Sequence, residues 1–226
     1  MNYIMSIKLS NAGPCTNLVS MKLYTNPISP NSRKARAVAR HIGLDVDEIG
    51  VDLKGGEQKS EAFLKKNPNG MVPVLEDGDL TLFESNAIAL YLGDRPSSSL
   101  SLASPAERAE VVKWLSWEGW HLAHPVLDLA FERIIKGMVG AGPPDEAVVE
   151  KSLEGWARFG AVLDRELSGR TFVLGDDVSI ADFCLGACFT FARPSELPLS
   201  GVPHVERWLG AMDELPAWRD TAPPMG

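Results

Sequence analysis

Cysteine is scarce. The 226 residues contain three, Cys15, Cys184 and Cys188, too few for a disulfide framework, which points to a chain kept in a reducing cytoplasm. Long apolar runs are also missing. Nothing approaches the roughly 20 residues that cross a bilayer, so no membrane-embedded role is expected. Blocks of basic charge are absent too: the longest is the pair Arg33-Lys34, and the net charge is −8 with a pI near 5.1. An acidic chain with scattered cations does not present a nucleic-acid surface, although it can hold a small anion in a local pocket. No cluster of residues has metal-ligand spacing. The first 20 residues lack a basic start followed by an unbroken apolar stretch, so they read as an extension ahead of Met21 and not as a secretory signal.

What is present divides the chain in two. From residue 21 to about 95, short apolar runs alternate with helical spacing. Met21–Thr25 reads as a strand, Arg33–Ile42 as a helix that Gly43 stops, and Asp45–Leu53 as a second strand. A short helix over Ser60–Lys66 runs into the turn cluster Asn67-Pro68-Asn69-Gly70. Strands over Met71–Leu75 and Leu80–Phe83 are joined through Glu76-Asp77-Gly78-Asp79, and Ser85 opens a helix to Leu92 as its N-cap. The order β-α-β-α-β-β-α predicts a mixed four-stranded sheet with helices on its faces. Residues 96–104 are linker-like. From Pro105 to the end the pattern is entirely helical: a long helix through Trp114, Leu122 and Ile134, a break at Gly140–Pro144, then helices over Glu146–Leu167, Ser179–Phe191 and Val202–Leu215. Ser179 and Asp182 have capping-box spacing.

Three segments of the first part and one of the second carry a resemblance. Tyr24-Thr25-Asn26-Pro27-Ile28-Ser29-Pro30-Asn31-Ser32-Arg33-Lys34, Met71-Val72-Pro73-Val74-Leu75, Phe83-Glu84-Ser85-Asn86-Ala87-Ile88 and Val178–Phe183, in this order and spacing, resemble the serine-type cytosolic glutathione transferases. The resemblance covers the chain from residue 21 to about 215. It implies a thioredoxin-like α/β domain that binds glutathione, over 21–95, and an all-α domain over 105–226 that holds a small hydrophobic electrophile, in a homodimer.

The chemistry to be performed is stabilisation of a thiolate. A free thiol titrates near about 8.5, and a helix N-terminus with a hydroxyl donor lowers that value. Ser29 aligns with the family's catalytic serine, with Ser32 and Asn31 close enough to substitute; on folding grounds alone, Ser29 starts a turn and Ser32 caps the helix. Tyr24 is the hydroxyl that a tyrosine-type relative would use. The slot Ser29–Ser32 is Ser-x-x-Ser where thioredoxin-like reductases carry Cys-x-x-Cys, which excludes a dithiol mechanism.

The resemblance implies a cis bond at Val72-Pro73, with the main chain of Val72 pairing with the cysteinyl part of glutathione. It places Glu84 against the γ-glutamyl ammonium, Ser85 and the following helix start against the γ-glutamyl carboxylate, and Gln58 or Lys59 against the glycyl carboxylate. Met71 stands where many relatives carry a hydrogen-bonding side chain, and methionine cannot donate one. For the electrophile, Trp114, Trp117 and His121 share a face of the long helix and are candidate pocket residues; an aromatic stripe is also what a core looks like. Two other functions fit the same family: a noncatalytic module that binds a protein partner, and a glutathione-dependent isomerase or dehalogenase.

Overall fold

The computed structural model describes residues 21–224. The expected extension 1–20, with Cys15, lies outside the described residues. β1 (Lys22–Thr25) pairs in parallel with β2 (Asp47–Gly50) and antiparallel with β3 (Val74–Asp77), which pairs antiparallel with β4 (Leu80–Leu82). The sheet order is β2-β1-β3-β4, the thioredoxin-like arrangement that the resemblance implies. Successive strand residues point to opposite faces. Leu23 and Leu75 enter the large core, while Tyr24 and Val74 pack with Val51, Phe63 and Val72 on the other side.

Helix α1 (Pro30–His41) begins with Ser29 as N-cap and Pro30 at its first position, and its last turn carries Arg40 and His41. It stops at Gly43, whose φ of +66° suits glycine, with Leu44 N–H returning to Ala39 O at 2.9 Å. α2 (Glu61–Leu64) is short and capped by Ser60. At the start of α3 (Ser85–Gly93) the cap position belongs to Glu84, and Ser85 is the first helical residue. The expected N-cap role of Ser85 is therefore corrected: its hydroxyl is spent on side chains of α1.

β3 begins three residues later than expected. Met71, Val72 and Pro73 precede the ladder, since Pro73 has no N–H to give it. The hairpin closes at Asp77–Leu80 around Gly78-Asp79. The segment 96–104 buries Leu100 and gives the N–H of Leu102 to Asp94 at 2.9 Å.

The long helix is continuous from Pro105 to Val139 but not uniform. α4 (Pro105–Trp117), α5 (Ala123–Ala130) and α6 (Lys136–Val139) are joined by π-helical turns over Glu118–Leu122 and Phe131–Ile135. The first widened turn lies just ahead of Pro125, which supplies no N–H and whose ring crowds the preceding turn. α7 (Glu146–Glu166), α8 (Ile180–Cys188), α9 (Pro203–Glu214) and the short α10 (Pro216–Arg219) complete the bundle. All nine residues of α8 are buried. α1 is held to α10 by Arg33, whose guanidinium lies 3.6 Å from the Trp218 ring centroid and donates to Trp218 O at 3.0 Å. Burial pulls the pKa of that guanidinium down to about 10. No described helix is long and apolar enough to cross a membrane.

Candidate functional site

The segments singled out in the first part converge where the N-termini of α1 and α3 meet the turn before β3. A cavity of about 240 Å³ opens there, walled by Asn31, Met71, Val72, Pro73, Glu84 and Ser85, with Asn67 and Asn69 beside them. The Val72-Pro73 peptide bond is cis. Val72 lies outside the ladder, and its main-chain N–H and C=O have no backbone partner among the described residues. An extended peptide can therefore pair with them as an added strand.

Glu84 has φ 72° and ψ 110°, a conformation costly for any residue with a Cβ and typical of ligand-facing positions. Its exposed carboxylate stands at the cavity edge. The first intrahelical bond of α3 runs from Ile88 N–H to Glu84 O at 3.0 Å, so the N–H groups of Ser85, Asn86 and Ala87 have no helical acceptor. Free N–H groups at a helix start attract a carboxylate.

The candidate hydroxyls separate clearly. Ser29 Oγ is half-buried and accepts from Ser32 N–H at 3.2 Å, while its own proton has no acceptor among the described residues. Ser32 is wholly buried, and its Oγ accepts from Asn26 N–H at 3.1 Å. The helix is thus capped by Ser29 and not by Ser32, because the tight turn at Asn26–Ser29 needs the Ser32 hydroxyl inside it. Asn31 Oδ1 accepts from Ser85 Oγ at 3.2 Å. Tyr24 gives its hydroxyl to Glu76 at 2.8 Å, with Lys66 over its ring and bonded to the same carboxylate. It is therefore engaged on the sheet.

Gln58 and Lys59 do not line the cavity. Gln58 Nε2 donates to Leu53 O at 3.3 Å. The Lys59 ammonium lies over Gly70, where an added Cβ would fall 2.9 Å from it and 2.9 Å from Gln58 O. Gly70, at φ +61°, is the residue that this close approach requires. The side chain of Met71 is 64% exposed, and its carbonyl accepts from Asn67 Nδ2 at 2.7 Å. Buried Asn67 also takes the N–H of Asn69 at 3.0 Å and so shapes the turn. In the sequence it reads only as a turn residue.

The aromatic stripe lies away from the cavity at Val72 and Ser85. Trp114 is core, and the rings of Trp117 and His121 lie 6.3 and 5.0 Å from Phe159 of α7. They face α7 because the side of the helix turned inward at this level carries Leu115, Glu118 and Leu122, about 100° away. His121, with Trp120, borders a separate cavity between α5 and α7 that shares no wall with the one at Val72 and Ser85.

Behind the cavity lies a buried network with no local signature in the sequence. Lys34 Nζ donates to Ser85 Oγ at 3.1 Å and Asn86 Oδ1 at 2.7 Å, and lies 3.5 Å from Glu118 Oε1. Glu118 accepts from Asn86 Nδ2 at 2.8 Å and from the Cys188 thiol at 3.0 Å. The lysine and glutamate side chains are 1% and 4% exposed. Burial opposes the charge on Lys34, but Glu118 and the neighbouring Cys184 and Cys188 together hold the ammonium pKa above the ordinary value. Burial pushes the thiol of Cys184 up to about 12 and that of Cys188 well above its ordinary value, so both cysteines remain thiols.

Comparison with known proteins agrees with this geometry. The family models for the glutathione S-transferase N-terminal and C-terminal domains match residues 19–94 and 124–216. Glutathione S-transferase 3 of Zea mays is 35% identical over 209 residues, covering 90% of this chain and 94% of that one. Glutathione S-transferase GstB of Escherichia coli K12 is 32% identical, covering 84% and 92%. A solved structure of glutathione S-transferase-I bound with lactoylglutathione superposes with a TM-score of 0.81 at 30% identity, over 92% of this chain and all of that one. The start of α1 at Asn31, an unpaired Val72 main chain and the start of α3 thus meet in a fold shared along nearly the whole length of these enzymes: the chain belongs to the glutathione S-transferase family, transferases with glutathione as co-substrate.

Proposed function

We propose that the chain binds glutathione in the cavity between α1 and α3 and transfers its thiolate to a small hydrophobic electrophile, with Ser29 as the hydroxyl that faces the sulfur. The observation that carries this reading is the half-buried Ser29 hydroxyl at the start of α1, while Ser32 is wholly buried and Tyr24 gives its proton to Glu76. Val72 pairs by its main chain with the cysteinyl residue, Glu84 receives the γ-glutamyl ammonium, and Ser85 with the α3 N-terminus receives the carboxylate. The sulfur then sits against a helix N-terminus and a donor hydroxyl, and both favour the thiolate. Lys59, beside the turn at Gly70, is the cation we assign to the glycyl carboxylate.

The test is calorimetry with glutathione together with thiolate absorbance across pH. Binding with a thiol pKa well below the free value of about 8.5 is expected. Absence of binding at millimolar concentration removes the reading and leaves a noncatalytic family member that binds a protein partner. We also propose a cytoplasmic homodimer that uses the face where Trp120 is 82% exposed; light scattering giving the mass of one chain would sink that assembly.

A further inference from the structure

The loop that carries Ser29 has little freedom of its own. Asn26 and Ser29 each precede a proline, which confines both to extended backbone, and the rings of Pro27 and Pro30 fix their own φ. Ser29 is extended as this requires, at φ −81° and ψ 120°. The joint left between the two prolines is Ile28. Asn26 holds both sides of that joint: its side-chain Oδ1 accepts from Ile28 N–H at 3.1 Å, and its carbonyl accepts from Ser29 N–H at 3.0 Å. The amide is anchored in turn. Asn26 Nδ2 donates to the carbonyl of buried Val51 at 2.9 Å, and Val51 returns its N–H to Thr25 O at 2.8 Å. Ser32 grips the same residue only by its main-chain N–H, ahead of the joint. The position needs one acceptor and one donor on a short stem. Asparagine has both, whereas an ionised aspartate has no donor.

We propose that Asn26 is a positioning residue for the transfer reaction: by holding Ile28 it fixes where the Ser29 hydroxyl points, and so how well that hydroxyl meets the glutathione sulfur. This inference rests on the assignment of Ser29 as the sulfur donor. A hydrogen bond weakens steeply once it bends, so a loosened loop loses thiolate stabilisation even with the donor still present. The bond from Ser32 N–H to Ser29 Oγ, at 3.2 Å, orients the oxygen from the helix side. The Asn26 clamp fixes the main chain on the other side. Asn26 does not wall the cavity at Val72 and Ser85, and its amide is committed to Ile28 and Val51, so it acts on substrate through Ser29. In the sequence Asn26 is a member of a matched segment with no task of its own. The task emerges when the parallel pairing of β1 with β2 brings Val51 beside it.

The experiment reads two quantities in the full chain: the pH at which the thiol of bound glutathione ionises, from thiolate absorbance, and the affinity for S-methylglutathione, which has no thiol. In Asn26→Ala the ionisation should move up towards the free value of about 8.5 by roughly one pH unit, as a weakened bond to an anion implies. The dissociation constant of S-methylglutathione should stay within about twofold, because Val72, Glu84 and Ser85 belong to other segments and share no partner with Asn26. Asn26→Ser can still accept from Ile28 N–H but does not reach Val51, so it should ionise between the two. It carries the test if the alanine variant does not fold. A thiol that ionises as in wild type overturns the proposal, and so does a matching loss of S-methylglutathione affinity, the mark of a merely structural role. Added to Ser29→Ala, Asn26→Ala should shift the ionisation no further; a further shift means that Asn26 acts without Ser29 and overturns the proposal. If Ser29→Ala itself ionises as wild type, the assignment of Ser29 fails and this inference with it. If Ser29→Ala shifts and Asn26→Ala does not, this inference alone fails. A wild-type chain that binds neither compound removes the glutathione reading and all that rests on it.

Discussion

Ser29 and Ser32 stand one helical turn apart, and burial and hydrogen-bond partners separate them. Ser29→Ala should lose the cap and the sulfur donor together: about 1 kcal/mol of stability and roughly 10- to 100-fold in turnover, the worth of a hydrogen bond to an anion. Ser32→Ala strands the Asn26 N–H inside a tight turn. It should cost about 1–3 kcal/mol of stability while leaving turnover per folded molecule unchanged. Denaturant melts beside initial rates distinguish the two, and a rate loss confined to Ser32→Ala would reverse the assignment. Glu84 makes the opposite trade. Its φ of 72° is a strain that glycine does not feel, so Glu84→Gly should gain about 1 kcal/mol in thermal unfolding and bind glutathione more weakly. A variant that gains stability and binds as before would show that the strained carboxylate does not touch the ligand.

Among the elements, α8 shows how a local motif acquires a tertiary task. The expected capping box is present, with Asp182 accepting from the N–H of Ser179 at 2.9 Å and from its hydroxyl at 2.6 Å. The other oxygen of Asp182 takes Val173 N–H at 2.8 Å and Trp208 Nε1 at 2.9 Å. One carboxylate thus ties the start of α8 to the preceding loop and to α9. Ser179→Ala should cost about 1 kcal/mol, as a cap does, and Asp182→Ala about 3 kcal/mol or more, because it leaves several buried donors unpaired. Equal losses in urea melts would reduce Asp182 to a cap. Much of the element level was legible beforehand, because hydrophobic period and end signals are local. The widened turns in the long helix were not, nor was the late start of β3. Pro73 and Pro125 were visible in the sequence, but what each does to its ladder or helix depends on neighbours.

At the scale of the molecule, α1 is the member that both halves share. It packs on α3 of its own half and on α8 and α10 of the other. His41, in its last turn, lies against Phe183 of α8 with ring centroids 5.1 Å apart, and burial holds its pKa below the ordinary 6.5. The unfolded chain therefore binds a proton at His41 more readily than the folded one. Stability from this site is complete above pH 6.5 and is lost as pH falls below that value. His41→Phe should flatten the fall in thermal midpoint between about pH 7.5 and 5.5. A variant whose midpoint falls as steeply as that of wild type would show that the site does not couple to folding.

The sequence by itself determined what depends on residues near one another: the order of strands and helices and the Val72-Pro73 junction, and the matched segments pointed to Asn31, Glu84 and Ser85, which line one cavity. It also excluded the dithiol, since Ser29–Ser32 carries no cysteine. Only the tertiary structure decided that Ser32 is buried and Ser29 is not, that Trp117 and His121 turn towards α7, and that Lys34 stands behind Ser85. Each of these is a question of burial and direction. A helix residue's neighbours across an interface come from anywhere in the chain, and Lys34 meets a glutamate 84 residues away, a distance at which no local pattern records the pairing.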